Sequence, residues 1–83
     1  TWGQLREGLG VLAGSVIRHR RALEETLAVL PPSDLHQLFT TMFQEKVEMW
    51  GHFLSDANAH LQILLKQAHQ GPFLPPPEMI ELS

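Results

Sequence analysis

The apolar positions fall into two long patterns of helical period, separated by a proline pair. Between residues 2 and 30 they sit at Trp2, Leu5, Leu9, Leu12, Val16, Leu23, Leu27 and Leu30. Steps of three and four dominate, and His19 holds the intermediate place in the one longer gap, which is the signature of a heptad-like seam facing mainly one neighbour. Between residues 34 and 70 the apolar set is denser: Leu35, Leu38, Phe39, Met42, Phe43, Val47, Met49, Trp50, Phe53, Leu54, Ala57, Leu61, Leu64, Leu65 and Ala68. No stretch alternates with period two long enough to predict a strand.

Pro31-Pro32-Ser33-Asp34 divides the two patterns. Proline lacks the amide donor and clashes with the preceding turn, so a helix cannot run through this site. Ser33 is suited to accept a bond from a free amide at the next helix start, and Asp34 to the positive end of the helix dipole. A second break, Gly71-Pro72, is the usual order for a helix stop. The reading is an all-α antiparallel hairpin over residues 1–70, with helices near 2–30 and 34–70, followed by a proline-rich extended tail over 71–83. The competing architecture is a three-helix bundle broken near Gly51. Gly51 projects onto the polar side, however, and the apolar arc keeps its phase across it, so one continuous helix is favoured.

Glycine changes the picture of the first helix. Each mid-helix glycine costs about 1 kcal/mol relative to alanine, and four lie between residues 3 and 14. At about 100° per residue, Gly3, Gly10 and Gly14 share a flank beside the leucine seam. Because the seam passes through them without a phase change, they are expected to form a small-residue face that admits another helix at close range.

The arc on the second helix is about 200° wide, more than one neighbouring helix covers. The hairpin is therefore expected to complete a four-helix bundle, with a second copy or with a helix of another protein. The residues expected at that interface are Phe39, Phe43, Val47, Trp50, Phe53, Leu54, Ala57 and Leu61, since aromatic residues in such a row commonly anchor helical interfaces. Lys46 projects near the centre of the arc, either snorkelling over apolar surface or setting register as a polar residue in a seam.

Composition narrows the function classes. With 83 residues, 43% of them hydrophobic and 7% aromatic, the chain supports one small core. A chain of this size ordinarily leans on a disulfide, a metal or a partner, and the lack of cysteine removes disulfides and thiolate chemistry. A net charge of −3 with six basic residues argues against nucleic acid, and against a membrane-curving surface. Apolar runs of at most four residues exclude a membrane span. No secretory leader pattern is present, and the chain is read as a segment of a longer intracellular protein.

Candidate chemistry is thin. Five histidines raise the question of a metal. His52, Asp56 and His60 are spaced i, i+4, i+8, and imidazole and carboxylate are competent ligands. The Glu-x-x-His pairs of di-iron bundles do not occur, and His52 projects to the polar side while His60 sits near the apolar edge. A metal-binding bundle on these three residues is thus the alternative, and no cofactor is expected. Gly8 to Gly14 echoes a dinucleotide loop without the preceding strand that such a loop needs. Nothing forms a catalytic Ser-His-Asp set. Arg18-His19-Arg20-Arg21 is expected to lie level with Glu45 and Glu48 in an ion-pair layer across the hairpin. Pro72-x-x-Pro75 fits the bare proline-motif pattern but has no basic flank, and Glu78 to Leu82 has the composition to start a further helix or to fold back over the open seam. The functional expectation is a non-catalytic interaction and oligomerisation module, a scaffold or adaptor, with no small-molecule substrate.

Overall fold

The computed structural model describes residues 1–70 and 73–82. Within them the chain forms α1 (Trp2–Val29), α2 (Asp34–Gln67) and a short α3 (Pro77–Leu82). The first two make an antiparallel hairpin, giving a rod of 54 × 16 × 16 Å. Among the described residues there is no strand, and no helix is long and apolar enough to cross a membrane.

Local chemistry explains each boundary. Thr1 caps α1 reciprocally with Gln4: its Oγ1 accepts from the Gln4 amide at 3.3 Å, and its backbone nitrogen donates to Gln4 Oε1 at 2.8 Å. Leu30, ahead of Pro31, takes an extended conformation and ends the helix. Ser33 Oγ accepts from the His36 amide at 3.1 Å to start α2. His36 then reaches back over the hinge, its Nε2 donating to the Leu27 carbonyl at 3.0 Å. α2 continues through Gly51 unbroken, as the conserved phase of its apolar arc predicts.

Gly71 and Pro72, the expected stop of α2, lie outside the described residues, and the helix ends before them. His69 takes the left-handed conformation with φ 56°. The His69 amide donates to the Lys66 carbonyl at 3.2 Å and the Gln70 amide to that of Leu65 at 3.0 Å, so the last carbonyls are closed by a Schellman turn. A side chain in this conformation costs about 1 kcal/mol that glycine does not. His69→Gly is accordingly expected to stabilise the fold by about that amount in urea unfolding; no gain would mean that the turn is not formed in solution.

The tail departs from the extended expectation. Residues 73–76 are irregular, but Pro77–Leu82 is a helix. Pro77 at its first turn needs no amide donor, and the Met79 amide closes on the Pro76 carbonyl at 3.0 Å. The segment folds back along α1, running in the same direction. Arg6 fastens its start, with Nε donating to the Leu74 carbonyl at 2.6 Å and Nη2 to that of Pro75 at 3.3 Å. Arg21 fastens its end by an ion pair with Glu81. This is the one ion pair among the described residues, so the basic cluster of α1 does not meet Glu45 or Glu48 across the hairpin. α3 brings a carboxylate to the cluster on the opposite flank instead.

Docking of the tail decides where the core lies. Leu9, Ala13, Leu54, Leu61, Leu65 and Met79 form one buried cluster, with Trp2, Val16, Ala57, Phe73 and Leu82 packed around it. The buried side of α1 takes in Leu9 of the leucine seam but is displaced to one flank of it: Ala13 and Ile17 are buried, while Leu5 and Leu12 are exposed. On the hairpin the buried side chains lie between Leu9 and Ile17 on α1 and between Leu54 and Leu65 on α2. Towards the hinge, Leu23, Leu27, Phe43 and Val47 are half-buried, and no described residue between 18 and 53 is buried. Two helices alone cannot enclose a side chain, and the third element reaches only as far as Arg20 and Arg21 on α1 and Val47 and Glu48 on α2.

Candidate interaction face

The hairpin presents one face that is covered and one that is open. The covered face is built on small residues of α1. A Cβ placed on Gly10 would stand 3.0 Å from Glu78 Oε2 and 3.2 Å from Pro76 Cβ, and one on Gly14 would stand 3.7 Å from Glu78 Cγ. These two glycines therefore do admit a close neighbour, and the neighbour is the protein's own tail. Gly3 takes no part, since its nearest outside atom is Thr1 Oγ1 at 3.8 Å.

The open face follows α2. Leu35, Phe39, Met42, Lys46, Met49 and Phe53 succeed one another at steps of four, three, four, three and four, which keeps them on one line of the helix. The five apolar members are exposed, Met49 and Phe53 to 58%, and Lys46 is exposed with them. Trp50 stands beside the line, edge-on to Phe53 with ring centroids 5.7 Å apart and planes at 84°. Towards the remote end the line borders an apolar groove between the helices, with Leu5, Leu12, Ala57, His60 and Leu64 along its walls. No tail residue lines that groove.

The expected interface set is divided by this geometry. Phe39, Trp50 and Phe53 are exposed, and Phe43, Val47 and Ala57 are half-buried between the helices. Leu54 and Leu61 are not on the open face: Leu54 is 0% exposed and Leu61 is 5% exposed. Both are enclosed by α1 and the tail, because they lie on the side of the arc that turns towards α1. The pattern did not separate Leu35, Met42 and Met49 from the remaining apolar residues of α2. Their common signal is the strict four-three alternation, which they share with Phe39, Lys46 and Phe53.

Polar groups do not converge. Among the described residues, no group of three His, Asp or Glu side chains is placed to hold a metal ion, so His52, Asp56 and His60 are not brought together as a site. All three are exposed, with His52 beside the tail and His60 on the groove between the helices. A cleft of 560 Å³ beside the tail is lined by Arg20, Glu48, His52, Ser55 and Asn58 over apolar residues of α3, and the buried Asn58 Oδ1 has no hydrogen-bond partner. The one hydrogen bond between side chains among the described residues is that of Arg21 with Glu81, so no nucleophile is coupled to a base. Set against family models, curated proteins and solved structures, the chain matches none of them.

Proposed function

We propose that this chain is a non-catalytic protein-interaction and oligomerisation module of a larger intracellular protein, and that it binds a helix along the exposed line of α2. One observation carries the reading. The stretch of chain from residue 18 to residue 53 has no buried residue, and it displays Leu35, Phe39, Met42, Met49 and Phe53 in a row. Contiguous exposed apolar side chains of this size mark interaction sites in stable proteins, and an amphipathic helix laid in a groove is the recognition mode that their spacing fits. Scaffold or adaptor work is the role such a surface suits.

The test is a pair of substitutions on opposite sides of α2, read by sedimentation of the purified protein and by capture of binding proteins on the immobilised protein. Phe53→Ala is expected to weaken association about tenfold, the effect of truncating one aromatic anchor. Gln44→Ala, on the polar side, should leave it unchanged. Circular dichroism should stay the same for both, since neither side chain is buried. If association is absent by both methods, or is indifferent to Phe53→Ala, this reading is wrong.

A further inference from the structure

The open line on α2 is broken by one charged residue, and that residue restricts what can lie against it. Resting on the reading above, we propose that the occupant is a second copy of this chain, with the two α2 helices antiparallel about a twofold axis near residue 44. The first argument is self-complementarity. The steps along Leu35, Phe39, Met42, Lys46, Met49 and Phe53 read the same in both directions. An antiparallel copy in which paired residue numbers sum to 88 sets Leu35 against Phe53, Phe39 against Met49, and Met42 against Lys46, each twice. Every position on the line then meets a position on the line, over about 27 Å of helix.

Charge supplies the second argument. In a parallel pair Lys46 would stand beside its own copy, two like charges within an apolar seam, which opposes association. In the antiparallel pair each Lys46 packs by its stem over Met42 of the other copy. Its ammonium then comes within about 4.5 Å, along the axis, of Glu45 of that copy. The four charges cancel, the two glutamates lying about 3 Å apart along the helix between the two lysines. A foreign helix would have to bring an acidic residue to this place, whereas a second copy brings its own. Both residues are exposed in the single chain, and neither has an ion-pair partner there.

The third argument is location. The paired segment, 35–53, lies within the stretch of chain, 18–53, that has no buried residue. Two copies joined here cover Phe43 and Trp50 from a side where no tail residue stands.

The experiment is a charge reversal followed by sedimentation equilibrium of the purified protein at micromolar concentration. The parent chain is expected at twice its monomer mass. Lys46→Glu, which gathers four carboxylates around the axis, and Glu45→Lys, which gathers four ammonium groups, should each weaken the dimer about tenfold. The double variant E45K/K46E restores a neutral set of two positive and two negative charges and should return the affinity to within about threefold of the parent, a coupling that a cross-axis pair produces. A dimer that survives both single reversals, or that the double variant fails to rescue, overturns the antiparallel pairing. A monomer that still captures other proteins in a Phe53-dependent way overturns the second copy and leaves the interaction reading standing. A monomer that captures nothing overturns both. Circular dichroism guards against misfolding, since both substitutions are at exposed positions.

Discussion

Leu54→Ala is expected to remove about 3 kcal/mol of folding stability, in the middle of the range for a fully enclosed leucine. Leu54 is the one large side chain of the described residues that is completely buried. It sits within the cluster of Leu9, Ala13, Leu61, Leu65 and Met79, held from α1, α2 and the tail together. Truncation forfeits the transfer energy of the removed carbons and leaves a cavity that three converging elements cannot all close. A chain of this length has about 4–12 kcal/mol to lose, so the melting temperature should fall by roughly 12–24 °C. The neighbouring residue is the control. Phe53 is larger but is 58% exposed, and its replacement should shift melting of the monomer by a few degrees at most. Thermal unfolding followed by circular dichroism decides the matter. Equal shifts for the two variants would mean that the buried side of α2 is misassigned.

Gly10→Leu should detach the tail while leaving the hairpin folded. Even the first added carbon would lie 3.0 Å from Glu78 Oε2 and 3.2 Å from Pro76 Cβ. The glutamate can swing aside, but Pro76 is buried and its ring is fixed to the backbone. A leucine adds three more carbons in the same direction. Lifting the segment re-exposes Met79, which is worth about 1.5–3 kcal/mol when fully buried, and breaks the bonds that Arg6 and Arg21 make to it. Replacing a mid-helix glycine returns about 1 kcal/mol through helix propensity. The net loss should be about 2 kcal/mol. Gly8 gives the matched control, because nothing lies within 4 Å of a Cβ built there; Gly8→Leu should keep the propensity gain and the tail. Amide exchange over residues 73–82 is the direct readout. Protection of that segment in the Gly10 variant would show that the tail does not depend on the glycine.

How much of this was legible beforehand depends on whether a feature has a local signature. The hinge was readable because proline and a serine cap act on their own backbone neighbours. The unbroken α2 was readable because phase is preserved across Gly51. The close-approach face at Gly10 and Gly14 could be seen, but not its occupant: small residues record that something comes near, not what. The α1 core keeps Leu9 of the leucine pattern but extends to Ala13, which weighs little in such a pattern, and to Ile17, which lies beside the leucine line. Leu54 and Leu61 were assigned to the interface for a related reason. A wide apolar arc shows how much surface a helix must cover, while the side that turns inward is set by the other elements. Arg6 with Leu74 and Arg21 with Glu81 join residues 60 or more apart, and no spacing rule along the chain reports them.

The return of the tail along α1 has a consequence for the order in which the molecule assembles. Most helical hairpins need only neighbouring segments, and their contacts form early and quickly. Here Met79 seals a cluster whose other members begin at Leu9, and Arg6 binds a carbonyl 68 residues away. During synthesis the two long helices can emerge and meet while their inner surface is still wet on one side. Completion waits until residues 73–82 have left the ribosome, so the nascent hairpin carries exposed leucines throughout that interval. That is when an unfinished chain is most prone to stick to others, and when a chaperone would find the most to hold.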